Sequence, residues 1–198
     1  SIKEHIFSED NLLTQKRIYG ILEKNFNFLL VSSTYTFNLM FGSLLVVLLV
    51  LFKEYSTAGE LGLIISLWIT ITQIFSSNMR SIVVSEQNKN YAITTLFYRL
   101  FFSFFVLSVF FIYSIFFQFE NIDLINAVSL LIMAQWINEM NLVQYEIKNK
   151  FKIFEIFFFI NFLVVVLTYI FIFLGKLEYL YYLLISYTLI LILSFINN

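Results

Sequence analysis

The chain has 198 residues, 60% of them hydrophobic and 13% charged, with a net charge of −1 and a mean hydropathy of +0.86. A soluble domain is about 45–50% apolar and about 25% charged, so the composition excludes an ordinary globular domain and points to a polytopic membrane protein. Cysteine is absent, which removes disulfides and thiolate chemistry, and so is proline, where roughly 5% is usual.

Residues 1–27 are polar and of mixed charge. Ser8 suits an N-cap, acids follow it and bases come later, and Leu12, Tyr19, Leu22 and Phe26 share one face. This predicts a cytoplasmic segment that either lies on the membrane as an amphipathic helix or forms a loosely ordered tail. Six apolar spans follow, at about 28–52, 61–84, 95–119, 124–145, 153–174 and 179–196. Each is long enough to cross a hydrocarbon core of about 30 Å. The joining segments are short, so successive spans are antiparallel neighbours. The expected fold is an all-α integral membrane protein, a six-transmembrane-helix bundle over residues 28–198, because a backbone in lipid must satisfy its own hydrogen bonds.

Lysine and arginine set the orientation. With the N-terminus inside, the inner segments hold Lys3, Lys16, Arg17, Lys24, Arg80, Lys89, Arg99, Lys148, Lys150 and Lys152, and the outer loops hold only Lys53 and Lys176. That asymmetry predicts a multi-pass protein of the bacterial cytoplasmic membrane with both termini cytoplasmic.

Familiar reaction chemistry is missing. The single histidine, His5, lies outside the spans, and the two aspartates, Asp10 and Asp123, fall on opposite sides of the membrane. No cluster has metal-ligand spacing and no Gly-rich phosphate loop is present. No catalytic residue, metal or cofactor is expected, and nucleic acid is not an expected partner of a chain whose bases flank membrane spans.

The informative residues are the polar ones inside spans, where a mid-helix charge costs about 2.5–3.5 kcal/mol on insertion scales. In the fourth span Gln135, Asn138 and Glu139 follow helical spacing. The second span offers Gln73, Ser76, Ser77, Asn78 and Arg80, and the first offers Asn38. Both the second and fourth spans run outside to inside, which puts Arg80 and Glu139 at similar depth. Two readings follow. Arg80 and Glu139 snorkel to the inner interface or pair with each other. Alternatively, the two polar faces line a water-filled vestibule in which Arg80 meets an anion such as a phosphate. Asn38 by itself reads first as a helix-packing hydrogen bond and second as a cavity residue.

The segment "STAGELGLIISLWITITQIFSSNMRSIVVSEQNKNYAITTLFYRL" resembles the region around the second helix of Wzx-type polysaccharide flippases, which belong to the multidrug/oligosaccharidyl-lipid/polysaccharide exporter superfamily. Gly59 and Gly62 at the entry to the span, Asn78 and Arg80 at its inner end, and Arg99 opening the next span carry the likeness. The resemblance implies that this chain is the N-terminal lobe of a two-lobed, twelve-helix carrier. Its partners would be the lipid bilayer, a lipid-linked (undecaprenyl-diphosphate) oligosaccharide, and a C-terminal lobe or a second copy. It implies alternating access, with cations on the diphosphate and Asn and Gln on the sugars. The chain departs from that pattern in having no base near the middle of a span. A cation-coupled exporter of drugs or other amphiphiles, with Glu139 as the coupling group, and a non-transporting assembly subunit are the rival expectations.

Overall fold

The computed structural model describes residues 2–76, 79–86, 89–116, 119 and 121–196. They form seven helices: α1 (Ile2–Leu51), α2 (Tyr55–Ser76), α3 (Met79–Glu86), α4 (Lys89–Phe116), α5 (Ile122–Ile147), α6 (Lys152–Phe173) and α7 (Leu177–Ile196). Among the described residues five segments are long and apolar enough to cross a membrane: Gly20–Leu51, Tyr55–Glu86, Ile93–Ile112, Lys152–Phe173 and Leu177–Ser194. α5 is also long enough, at about 39 Å for a rise of about 1.5 Å per residue, but it carries more polar groups. The protein is an all-α, multi-pass membrane bundle.

One boundary differs from the sequence reading. The N-terminal segment is not separated from the first span, because α1 is one continuous helix of 50 residues. The change at residue 27 is one of composition only. No proline interrupts the backbone there, and a single Gly20 costs a helix only about 1 kcal/mol. The second span runs through α2 and α3 as the single segment Tyr55–Glu86, with Ser77 and Asn78 outside the described residues.

α5 is the centre of the bundle. It packs against α1, α2, α3, α4 and α7, while α6 closes the outside by packing on α1 and α7. None of the residues from Leu124 to Ile147 is exposed, and Ile125, Ala127, Met140, Leu142 and Val143 are fully buried. This accounts for its composition. A helix surrounded by protein needs no lipid-compatible surface, so it can carry amides and a carboxylate that an outer helix could not.

Three connections share one device. After α1 the Glu54 N–H donates to Leu49 O at 2.9 Å and the Lys53 N–H to Val50 O at 3.1 Å. After α5 the Lys150 N–H donates to Tyr145 O at 2.9 Å and the Asn149 N–H to Glu146 O at 3.1 Å. After α6 the Lys176 N–H donates to Phe171 O at 2.8 Å and the Gly175 N–H to Ile172 O at 3.0 Å. These are Schellman caps, and each puts its pivot in the left-handed region: Lys53 at φ 67°, Asn149 at φ 54° and Gly175 at φ 65°. Lysine is the poorest fit, because its Cβ is strained there. We expect Lys53→Gly to raise stability and Gly175→Ala to lower it, each by about 1 kcal/mol, with Asn149→Gly close to neutral. Unfolding in mixed detergent micelles checks the order.

Candidate functional site

The strongest polar feature is an ion pair inside the bundle. Arg99 of α4 is 1% exposed, and its Nη1 donates to Glu139 Oε2 of α5 at 2.7 Å and to the Trp136 carbonyl at 2.6 Å. The guanidinium carbon also stands 4.9 Å from the centre of the Trp136 ring. α4 brings Arg99 inward because Thr95, Arg99 and Ser103 recur every fourth residue and are all buried, while Phe97, Phe101, Phe104 and Phe105 face outward. Carboxylate, carbonyl and indole together offset the cost of burying the charge. Arg99 Nε and Nη2 have no acceptor among the described residues.

Among the described residues Glu139 meets Arg99, a partner that the sequence did not suggest for it. The backbone of Arg80 lies in α3, and its side chain is outside the described residues. Sequence reasoning placed Arg99 at a helix start near the interface. The signal that would have moved it inward was the four-residue rhythm of Thr95, Arg99 and Ser103 within a phenylalanine-rich helix.

Trp136 ties this pair to the neighbouring helix. Its indole N–H donates to Ser76 Oγ of α2 at 2.7 Å, and its ring meets Phe102 edge-on at 6.0 Å. Further polar links radiate from α5. Trp68 Nε1 of α2 donates to Ser129 Oγ at 2.9 Å, and Tyr35 of α1 donates to Glu146 Oε2 at 3.1 Å. Asn121, just before α5, donates to Thr57 Oγ1 at 2.9 Å.

In front of the ion pair lies a cavity of about 230 Å³ between α1, α2 and α5. Asn38, Gln73, Gln135 and Glu139, all singled out from the sequence, line it together with Tyr35, Thr72 and Trp136. Its apolar side is Leu39, Ile65, Ile69 and Ile132, with Gly42 between. Gly42 is required for the close approach of α1 and α2, since a Cβ there would meet Ile65 Cγ2 at 2.9 Å. Among the described residues Asn38 Nδ2 has no hydrogen-bond acceptor, whereas the Gln135 side chain is hydrogen-bonded to Tyr187. The Tyr187 hydroxyl, beside Gln135, donates to Asn161 Oδ1 at 2.6 Å.

Asn138 separates from this group. It is buried between α5 and α7, where its Oδ1 accepts from Asn141 Nδ2 at 3.4 Å and Ser194 Oγ at 3.5 Å. Asn138 lies about 60° to one side of Gln135 and Glu139 about 40° to the other, so the two face different neighbours. Tyr35, Thr72 and Trp136 were not among the sequence-based candidates. An aromatic or a threonine in an apolar run carries no signal of its own there.

The cavity opens on one face of the bundle. Leu39 and Gln73 are both exposed and both line it. On α1, Leu39 continues an exposed row with Ser32, Thr36 and Ser43; on α2, Gln73 continues an exposed row with Ser66 and Thr70. The outward faces of α4 and α6 are instead dominated by phenylalanine and aliphatic side chains. The α1–α2 face is therefore the more polar one, and the cavity mouth sits on it.

These features define a class: a helical membrane bundle with a neutralised charge pair at its centre and a small, amide-lined cavity beside it. No family model, curated protein or solved structure matches the chain.

The pair makes a directional prediction. Removing Glu139 strands a guanidinium, which cannot lose its proton, whereas removing Arg99 strands a carboxylate, which can take one up. Glu139→Leu should therefore cost about 3–5 kcal/mol, and Arg99→Leu less. The double replacement should be more stable than Glu139→Leu alone. Thermal unfolding of the three variants in detergent checks this, and additive effects would dismiss the coupling.

Proposed function

We propose that this chain is one lobe of a carrier that moves a lipid-linked oligosaccharide across the bacterial cytoplasmic membrane, for surface polysaccharide assembly, with both termini in the cytoplasm. The observation that carries the reading is the position of the cavity mouth. It opens on the hydroxyl- and amide-bearing α1–α2 face. A face of that chemistry is poorly matched to lipid tails and well matched to a second lobe across a wet cleft. The lining also suits the cargo, since amides and a carboxylate recognise sugar hydroxyls. Among the described residues no lysine or arginine lines the cavity, so the cations for a diphosphate belong elsewhere, including a second lobe.

A cation-coupled exporter is the second reading, favoured by Glu139 being the one carboxylate among the cavity's lining residues. It is weakened by Arg99, which already neutralises that carboxylate at 2.7 Å and with which a coupling cation would compete.

In source cells, Asn38→Leu or Gln73→Leu should lower surface polysaccharide several-fold at unchanged membrane abundance, with lipid-linked oligosaccharide accumulating in the inner leaflet. Unaltered polysaccharide in both variants would sink the reading. Orientation is tested separately, because the chain has no cysteine of its own. A membrane-impermeant thiol reagent should label Ser56→Cys and Lys176→Cys from outside intact cells and leave Lys150→Cys untouched. The reverse pattern would invert the topology.

A further inference from the structure

We propose that the groove between α1 and the α5–α6 turn binds the headgroup of an aminophospholipid, which carries a phosphate and a primary ammonium side by side. The groove is open, about 510 Å³ in volume, and lies between the stretch of α1 around Glu23 and Asn27 and the turn from Asn149 to Lys152. It stands at the end of the α6 span, Lys152–Phe173, which is headgroup depth. Lys150 and Lys152 give its lining two positive charges, and Glu23 and Glu155 give it two negative ones. All four are exposed, and among the described residues none of them forms an ion pair. A simple anion would meet both carboxylates and a simple cation both lysines, so a single sign of charge gains little. A ligand that carries both signs answers all four.

The two halves of the headgroup have different places. Among the described residues the N–H groups of Phe151 and Lys152, at the start of α6, make no backbone hydrogen bond, whereas the Ile153 N–H already donates to Lys150 O at 3.3 Å. Free N–H groups at a helix start favour an anion, and here they lie in the same stretch as the two lysines. Glu23 and Glu155 suit the ammonium. They accept hydrogen bonds from a primary ammonium but not from a trimethylated one, which has no N–H to give. Lysines at a turn are what orientation asks of many membrane proteins, and they attract any anion to this surface. The two carboxylates are the added feature, and they make the groove selective.

The surface beside the groove fits the rest of a lipid. Glu155 is followed on the same face of α6 by Phe159 and Phe162, 67% and 61% exposed. That strip gives the acyl chains a path toward the bilayer centre, which a soluble phosphate ester would not use. On the proposed orientation the lipid belongs to the inner leaflet. Neither transport nor a second lobe enters the argument, so the inference stands or falls separately from the carrier reading.

Native mass spectrometry tests it, on the purified chain in detergent with dioleoyl phosphatidylethanolamine, phosphatidylcholine or phosphatidylglycerol at equal concentration. One phosphatidylethanolamine should be retained about fivefold better than either other lipid, because exposed charge contacts are individually weak. Glu23→Gln combined with Glu155→Gln should bring phosphatidylethanolamine down to the level of phosphatidylcholine. Lys150→Gln combined with Lys152→Gln should weaken both lipids alike. The melting temperature should not move in either variant, since these side chains are exposed and unpaired among the described residues. Equal retention of phosphatidylethanolamine and phosphatidylcholine, stronger retention of phosphatidylglycerol, unaltered selectivity in the carboxylate variant, or displacement of the lipid by an equal concentration of soluble phosphorylethanolamine would overturn the inference.

Discussion

Everything in this bundle is arranged around a charge that has nowhere to go. Arg99 is buried to 1% exposure in a chain with scarcely any other charge inside its spans. A guanidinium cannot be neutralised by losing a proton. Its partners must therefore be built in, and among the described residues they come from a single turn of α5: the Trp136 carbonyl, the Trp136 ring and the Glu139 carboxylate. Satisfying Arg99 fixes the register of α4 on α5. Once α5 is fixed, Ser129 reaches Trp68, Trp136 reaches Ser76 and Glu146 reaches Tyr35. Links between membrane helices average only about 0.6 kcal/mol each. Their value here is directional, since apolar side chains in lipid gain little from burial and do not by themselves choose which face of a helix turns inward.

The same reasoning explains why burial and hydropathy run in opposite senses. α5 is the helix most enclosed by protein and the one long helix that falls short as an apolar span, whereas the phenylalanine-rich faces of α4 and α6 are turned outward. In water that arrangement would unfold the chain. In a bilayer it is the low-energy one, because the outer surface meets hydrocarbon and the interior has to satisfy polar groups. The α1–α2 face is the departure, with Ser32, Thr36, Ser43, Ser66, Thr70 and Gln73 exposed. Hydroxyls on a helix can bond back to its own carbonyls, as Ser66 and Thr70 do to Leu63 and Ser66 at 2.8 Å. Each still keeps acceptor capacity for water beside a wet cavity.

Much of this was legible in the sequence. Span length and the lysine and arginine asymmetry are properties of composition, and the six long helices follow from them. Four polar residues, Asn38, Gln73, Gln135 and Glu139, meet at one cavity because each is a polar side chain at membrane depth, where few alternatives exist. The partner of Glu139 was less legible. Arg99 sits near a span end in the linear sequence, and only packing draws it inside. The outward turn of the phenylalanines on α4 brings it there. Asn138 was grouped with Gln135 by spacing alone, yet three residues along a helix leaves a net offset of about 60°, and that offset is on the side where α7 packs. The continuity of α1 was hidden because composition changes at residue 27 while the backbone does not.

The pairing of Arg99 with Glu139 also fixes what the cavity can do electrostatically. A free arginine there would make an anion site, and a free glutamate a cation site. Together they leave a polar but neutral wall, and in a medium of low dielectric constant that neutrality matters more than it would in water. On the proposed reading, the labour is then divided along the bundle. The exposed Lys148, Lys150 and Lys152 lie around the α5–α6 turn, at the end of the bundle away from the Lys53 turn. An anionic carrier group is attracted there, at the membrane surface, where a cation is cheap to keep.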